Sequence, residues 1–203
     1  MKCYITHVCR IPKFYYFYTP IDKIFVKNLL TILLLILIAL TTSFTPDSKG
    51  SKVDTQAKIK AVFIYNFTKY IEWPADYQAS DFTIAILGEN QSLYNELTNM
   101  SKVKKVDNKP FKIKLINNVS EIGKSHIVYI PHENSTNLAK ALVKTKGKSA
   151  LIVTETTGYA KKGASINFII LGGRQKFELN KSTAESNNLK VSSTLANIAV
   201  LVK

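Results

Sequence analysis

The chain has 203 residues and a formal charge of +14, from 28 Lys and Arg against 14 Asp and Glu, and 46% of it is hydrophobic. This length and apolar content predict one globular domain, or at most two small ones, and exclude wholesale disorder, while eight Gly and six Pro exclude a collagen-like chain. The two cysteines, Cys3 and Cys9, lie together at the start, so no disulfide framework or zinc knuckle can be built.

Residues 1–43 have the parts of a secretory signal peptide with an extended n-region. Residues 29–40 read LLTILLLILIAL, preceded by Lys23 and Lys27 and followed by the small polar run 41–43. A basic flank, an apolar run of about 7–15 residues and small residues are typical of such a signal. A bilayer-spanning helix needs about 20 apolar residues. We expect cleavage near Ser43 and export across the membrane; a retained N-terminal anchor is the alternative.

Removal of residues 1–43 leaves a cysteine-free chain with 23 basic and 13 acidic residues, a charge of +10. Arg174 is the one arginine among the 23. Lysine is the ordinary solvated surface charge, whereas arginine suits planar, bidentate pairing. The basicity therefore indicates surface composition first, and it also favours an acidic partner or an anionic surface.

The first elements of the exported chain are a tether, a helix and a buried strand. Residues 44–54 are a polar tether with Pro and Gly, and a helix capped by Asp54 or Thr55 follows and ends at Pro74. Its mostly apolar stripe, typical of a helix packed deeply against a sheet, consists of Ala57, Ala61, Phe63, Ile64, Phe67, Thr68, Tyr70 and Ile71. Residues 82–87 (FTIAIL) predict a central parallel strand covered on both faces.

The middle of the chain continues this alternation of helices and strands. Leu93, Leu97 and Met100 mark a short helix, and apolar residues alternate with lysines over 111–115, as in a strand with one wet face. Residues 126–130 (HIVYI) predict another buried strand. A helix with apolar residues at Leu138, Ala141, Leu142 and Thr145 follows, and then a strand over 150–153.

The C-terminal part predicts a hairpin and a last helix. Residues 166–171 and 175–179 flank Gly172-Gly173, a hairpin signal. Ser192 or Ser193 caps a final helix lined by Leu195, Ile198, Ala199 and Val202. The whole pattern predicts an α/β fold: a mostly parallel β-sheet flanked by helices, with one C-terminal β-hairpin and a terminal helix, in a single domain over residues 55–203.

No motif indicates catalysis. The Gly-Lys-Ser triplets at 123–125 and 147–149 lack the upstream glycine of a P-loop, and neither GxSxG nor HExxH occurs. His126, His132 and Glu133 are the one plausible metal cluster, but nothing in the spacing supplies further ligands. Basic stretches without stacking aromatics, in an exported chain, argue against nucleic acid. We expect no enzyme activity, no metal and no cofactor.

Two features are candidates for recognition. Trp73, the one tryptophan, follows Glu72 at a helix exit, with Tyr77 close behind. This group is either a lid over one end of the core or a recognition surface, where Trp and Tyr are enriched. Arg174 follows the Gly-Gly turn, and Glu178 lies four residues along the same face of the strand. They predict either a surface ion pair or a site that reads a carboxylate.

Several segments in order carry a family resemblance: AVFIYNFTKYIEWP (61–74), FTIAILG (82–88), SHIVYI (125–130), LIVTETTGYAKKGASINFI (151–169), RQKFELN (174–180) and LKVSSTLANIA (189–199). With these segments the chain resembles the YfiR family of small exported bacterial proteins. The resemblance covers nearly all of residues 57–199. Its most specific marks are Trp-Pro, the Gly158 to Gly163 spacing, F-E-x-N and S-S-x-L.

The resemblance implies a periplasmic α/β domain without known catalysis. It also implies a brake on signalling, because the type member of the family holds a membrane diguanylate cyclase off by binding its periplasmic sensor region. Ser125 stands where many members carry a cysteine, so control by a disulfide is not implied here.

The hypothesis from the sequence is a non-enzymatic regulator in cyclic-di-GMP signalling. It binds the periplasmic domain of a membrane sensor, either a diguanylate cyclase or a histidine kinase, and represses it. The alternative is a periplasmic receptor for a small anionic ligand, with Arg174 in a cleft. Whether the chain forms a homodimer is left open.

Overall fold

The computed structural model of the protein describes residues 28, 31–33 and 49–203, with side chains in the last range from Thr55 onward. Residues 28 and 31–33 are helical and belong to a unit of their own, and the α/β fold lies in a second compact unit, Ser48–Lys203. The predicted signal peptide falls outside the described residues except for 28 and 31–33, and the predicted tether is described only from Lys49 onward, so the domain boundaries stay predictions.

Nine strands form in the described part of the chain. They are β1 (Ile71–Glu72), β2 (Thr83–Leu87), β3 (Lys112–Ile116), β4 (Ile127–Ile130), β5 (Leu151–Thr154), β6 (Ile166–Leu171), β7 (Arg174–Leu179), β8 (Lys190–Val191) and β9 (Val200–Leu201). Seven make one sheet in the order β3-β2-β4-β5-β6-β7-β9, and β1 pairs with β8 separately. The first five strands of the sheet are mutually parallel, and β7 runs antiparallel to β6. The predicted α/β class with a mostly parallel sheet is therefore confirmed.

Helices lie on both sides of this sheet. The α-helices are α1 (Lys49–Tyr70), α2 (Ala75–Gln78), α3 (Gln91–Val103), α4 (Leu138–Thr145), α5 (Lys181–Ser186) and α6 (Ser193–Ile198), and short 3₁₀-helices cover Val119–Ile122 and His132–Asn137. One core cluster joins α1, α3 and α6 to the sheet, and the other joins α4 to its opposite face. We call these the α1 side and the α4 side. In the described part of the chain both clusters lie within residues 61–199, so a chain beginning at Phe44 contains both of them.

The central strands are buried because apolar side chains point to both faces. Every residue of β2, β4 and β5 is buried, as the continuous apolar runs predict. In β2, Ile84 and Ile86 enter the core of the α1 side, while Ala85 and Leu87 enter that of the α4 side. The edge strand β3 differs, because Leu115 is 37% exposed instead of buried.

The first helix has different ends from those predicted. It begins at Lys49, inside the predicted tether, and it ends at Tyr70 instead of continuing to Pro74. Residues 71–72 pair with β8, and the Ser192 N–H donates to the Tyr70 carbonyl (2.9 Å). Pro74 also disfavours the helical conformation for the residue before it. Ile71 is therefore a buried strand residue and not part of the helical stripe.

The predicted last helix forms, but it is shorter than predicted and the chain continues into a strand. Ser192 caps α6 as expected, accepting from the Leu195 N–H, but the helix stops at Ile198. Val200 and Leu201 then pair with the end of β7, and the Val202 N–H donates to the Leu179 carbonyl (3.0 Å). β-branched residues favour this extended pairing over one more helical turn.

Candidate functional site

A cavity of about 380 Å³ opens at the amino edge of the sheet, where β2 and β4 begin. Its walls include the buried rings of Trp73, Phe82 and His126. Its exposed rim carries three lysines and two carboxylates: Lys69, Lys109, Lys190, Glu72 and Asp107. An apolar wall with a few polar groups, in a volume of this size, is typical of small-molecule sites.

His126 is held by hydrogen bonds at both ring nitrogens. Nδ1 accepts from the Thr83 N–H (3.1 Å), so the proton is on Nε2, which donates to the Tyr77 carbonyl (3.0 Å). The ring stacks on Phe82 with centroids 4.3 Å apart. Burial lowers the pKa of His126, and Lys124 lowers it further. His126 is therefore neutral at pH 7 and serves as a strand-start residue with backbone partners.

Trp73 and Tyr77 close the amino end of the core. Trp73 is 4% and Tyr77 6% exposed. The Trp73 ring meets Phe82 edge to face at 5.0 Å, and its Nε1–H donates to the His126 carbonyl (3.3 Å). A partner would reach Trp73 only through the cavity wall, whereas Glu72 is exposed and lies 3.4 Å from the Lys190 ammonium. The recognition role of these residues stays a prediction.

Arg174 and Glu178 lie away from this cavity. Arg174 pairs with Leu171 at the carboxyl end of β6, the edge of the sheet opposite to the cavity, and its side chain is exposed. Within the described residues no ion pair joins it to Glu178. The two Cα atoms lie about 13 Å apart, four residues along the strand. The structure therefore does not bring the two halves of the predicted site together.

Glu178 instead ends a polar ladder across three strands. The Thr154 hydroxyl donates to Asn167 Oδ1 (2.8 Å), and Asn167 Nδ2 donates to Glu178 Oε2 (2.8 Å). Thr154 and Asn167 are fully buried. The ladder satisfies these polar groups, and it follows from strand pairing that a single sequence does not reveal.

A half-buried ion pair lies at the carboxyl edge, and the sequence does not predict it. Lys60 of α1 pairs with Glu155, which follows β5, and Glu155 Oε1 accepts from the His132 N–H (3.0 Å). Burial alone would raise the pKa of Glu155, but the hydrogen bond and charge of Lys60 hold it below its usual range. The Tyr129 hydroxyl nearby has no well-formed hydrogen bond, and its pKa is raised by burial and by the charge of Glu155. The ion pair of Lys60 and Glu155 ties α1 to the sheet.

The carboxyl edge has its own, more open cavity of about 820 Å³. Lys60, Asn90 and Glu133 are among its lining residues, beside the point between β2 and β4 where the strand order reverses. Ligands of open α/β sheets often bind at such a point. Here Asn90 caps α3 by accepting from the Leu93 N–H, and Lys60 is engaged with Glu155. Two of its polar groups are thus already used by the fold.

The two histidines do not form a metal centre. His126 precedes β4 and is buried at the amino edge, while His132 follows β4 and is exposed at the carboxyl edge. In the part of the chain that the structure describes, no group of His, Cys, Asp and Glu is arranged to hold a metal ion.

Several exposed apolar residues belong to elements of the α1 side. Five of them define what we call the α1-side apolar surface: Ile59, Val62, Ile170, Ile198 and Leu201, whose exposed fractions run from 37% to 61%. On α1, Phe63 faces β6 and β7 through Phe168 and Phe177. Large apolar side chains left exposed on one side of a domain are candidates for an interaction site.

The fold defines an open, mostly parallel α/β domain whose strand order reverses between β2 and β4. Residues 57–200 match the YfiR/HmsC-like family, and the chain belongs to that family. The family consists of periplasmic regulators of signalling and is not known for enzymes. Comparison with curated proteins gave no match. No helix among the described residues is long and apolar enough to cross a membrane.

Proposed function

We propose that the protein is a non-enzymatic periplasmic regulator that represses a membrane sensor by binding the sensor's extracytoplasmic region. The sensor is a diguanylate cyclase or a histidine kinase, and the former would place the protein in cyclic-di-GMP signalling. The family match over residues 57–200 carries this proposal. Binding changes the sensor's activity because the regulator prefers one of its conformational states.

The α1-side apolar surface supports this proposal as the contact with the sensor. Its members occupy four elements on one side of the sheet, with Val62 on α1, Ile170 on β6, Ile198 on α6 and Leu201 on β9. β9 is also an edge of the sheet, where unpaired backbone groups can accept a further strand. A protein partner would bury both the apolar side chains and this edge.

The test is capture of the sensor from detergent-solubilised membranes by the tagged mature chain. Val62→Glu and Leu201→Glu each place a charge on the apolar surface, and we expect at least a tenfold loss of captured sensor, since a buried unpaired charge is costly. Val103→Glu is the matched control, because Val103 is 77% exposed at the end of α3 and outside the surface.

Two results would reject the proposal at different levels. Capture of no cyclase or kinase by the parent chain contradicts the function itself. Equal capture by Val62→Glu, Leu201→Glu and Val103→Glu keeps the function but removes the α1-side apolar surface as the contact. Melting curves of all variants show that each is folded.

The second candidate function is a receptor for a small anionic ligand in the amino-edge cavity. The rim lysines Lys69, Lys109 and Lys190 favour it, with the apolar wall at Trp73. Arg174 lies at the other edge of the sheet and takes no part in this version of the hypothesis. A ligand could also release the regulator from its sensor, so the two functions are compatible.

A panel of small carboxylates and phosphates tests the receptor function by thermal shift of the mature chain. A ligand of this cavity raises the melting temperature of the parent and not of Lys109→Glu, while Lys144→Glu, on the far side of the sheet, responds as the parent does. No shift with any member, or equal shifts in both variants, would exclude anion binding in the cavity.

A further inference from the structure

A lysine-rich surface covers the α4 side of the sheet. Its residues lie on α4, on the turn after it and on the crossover segment 155–165 between β5 and β6. We call it the lysine face; it consists of Lys140, Lys144, Lys146, Lys148, Lys161 and Lys162. All are exposed except Lys148, which is half-buried.

Packing brings the two segments together. A side chain at Gly163 would lie 3.0 Å from Leu142 of α4, which shows how closely the crossover approaches that helix. Tyr159 of the crossover packs against the same core cluster as α4, and the Lys162 ammonium lies 4.8 Å from the centre of its ring. The lysines of both segments therefore share one side of the domain.

Acidic residues do not neutralise this surface. Between Glu133 and Glu178 the sequence has a single carboxylate, Glu155, and it is paired with Lys60. The segments packed against α4 also carry Glu121 and Glu133, which form no ion pair with the lysine face in the described structure. The surface thus keeps its positive charge.

An exposed apolar residue sits among these lysines. Val143 is 78% exposed, and with Val119 and Ala139 it lines a shallow depression between Lys140 and Lys144. Lysine side chains can lay their methylene stems along such a surface and extend the ammonium group beyond it. The arrangement presents cations around a small apolar tip.

We propose that the lysine face binds the surface of an anionic phospholipid bilayer. Lysines are mobile point charges that suit many headgroups at once, whereas bidentate recognition of a protein carboxylate favours arginine. Each lysine near an anionic bilayer strengthens binding by about fivefold. Val143 lies where it would enter the headgroup layer. Binding to vesicles needs no sensor, so this proposal stands or falls separately from the proposed function.

Sedimentation with vesicles tests the proposal on the predicted mature chain, residues 44–203, which contains both core clusters of the described structure and lacks the apolar run of the leader. The vesicles contain phosphatidylglycerol and phosphatidylcholine, or phosphatidylcholine alone, at 0.15 M salt. We expect the parent to sediment only with the anionic vesicles. A variant with Lys140, Lys144, Lys161 and Lys162 changed to Gln should bind several hundredfold more weakly, since each of the four lysines strengthens binding by about fivefold.

The matched control removes the same charge from the other side. It changes Lys58, Lys69, Lys104 and Lys105 to Gln, all of which are exposed. We expect its vesicle binding to stay within about threefold of the parent, because lysines that face away from the bilayer are screened. Val143→Ser, which keeps every charge, should weaken binding by a few fold.

Three outcomes would overturn the proposal. The parent fails to bind anionic vesicles, or the two Gln variants lose equal affinity, which would show an effect of net charge alone. The third is that the lysine-face variant binds vesicles normally but loses capture of a membrane protein, which would assign this surface to an acidic protein partner.

Discussion

At the scale of single residues, His126 makes the stability of the protein depend on pH. A second proton on Nδ1 would face the Thr83 N–H and break that hydrogen bond. The native pKa is below the ordinary value of about 6.5, so the unfolded chain binds more protons as the pH falls. The contribution of His126 to the free energy of unfolding is therefore fully present above about pH 6.5, and it decreases as the pH falls below that value.

Urea unfolding of the mature chain between pH 5.5 and 7.5 measures this effect. We expect a slope of at most about 1.4 kcal/mol per pH unit, the limit for one proton. His126→Gln should lose the slope as well as some stability. His132→Gln removes the other histidine of the mature chain, which is exposed, and should keep the slope. A slope that survives His126→Gln would assign it to other groups.

The ion pair of Lys60 and Glu155 leads to the second prediction at this scale. The two side chains are 20% and 12% exposed. Lys60→Met leaves the Glu155 carboxylate without its cation, and we expect a loss of about 2–3 kcal/mol in the free energy of unfolding, below the full buried-pair value because some solvent reaches both groups. The double variant with Glu155→Leu should recover most of the loss. Urea unfolding of both variants is the measurement, and a cost under about 0.5 kcal/mol for Lys60→Met would mean that the pair is effectively solvated.

Sequence patterns predict what depends on near neighbours in the chain. Ser192 as a helix cap needs only the residues that follow it, and the prediction is confirmed. The pairing of Lys60 with Glu155 joins residues 95 positions apart. The cavity wall at His126 likewise needs Tyr77 and Phe82 from earlier elements. Such groups depend on tertiary packing, which spacing in one sequence does not encode.

At the scale of elements, the confirmed strands are those that a local signal defines fully. Continuous apolar runs predict β2, β4 and β5, and Gly172-Gly173 predicts the hairpin of β6 and β7. The strands β1, β8 and β9 have two residues each, and their sequences resemble helix ends or loops. They form because a partner strand offers hydrogen bonds. For this reason α1 and α6 end earlier in the chain than the helical pattern of the sequence predicts.

The Gly-Gly hairpin provides a prediction for one element. Gly172 and Gly173 have φ angles of 59° and 71°, and a Cβ at either would meet no atom within 4 Å. The cost of a side chain is therefore one of backbone conformation alone. Gly172→Asn should stay within about 0.5 kcal/mol of the parent because Asn-Gly suits this turn, while Gly172→Val should lose about 1–2 kcal/mol. Urea unfolding compares the stabilities of the two variants. Equal losses would mean that the backbone conformation of the turn does not determine the cost of these substitutions.

At the scale of the whole molecule, the two proposed surfaces lie on opposite sides of the sheet. The α1-side apolar surface and the lysine face can therefore be occupied at the same time. A domain held on a bilayer through α4 would present α1 and β9 away from the lipid, toward the extracytoplasmic part of a sensor. This arrangement would keep the protein on the same membrane in which its proposed partner lies.

Export is the premise for that arrangement and can be tested directly. Residues 29–40 and their basic flank predict cleavage near Ser43. N-terminal sequencing of the protein from a periplasmic fraction should begin between Ala39 and Ser48. Uncleaved protein in the cytoplasm would contradict the predicted localisation, while uncleaved protein in the membrane fraction would indicate a retained anchor.

The net charge of the mature chain leads to a prediction about salt. With 23 basic and 13 acidic residues, like charges repel one another more in the compact state than in the expanded unfolded chain. Screening weakens this repulsion, so the melting temperature should rise between 10 and 300 mM NaCl and level off as the Debye length falls to about 6 Å. The variant with four lysines of the lysine face changed to Gln should rise less. A melting temperature that falls with salt would show instead that the ion pairs Lys60–Glu155, Lys112–Asp81, Lys181–Glu185 and Lys190–Glu72 outweigh the repulsion.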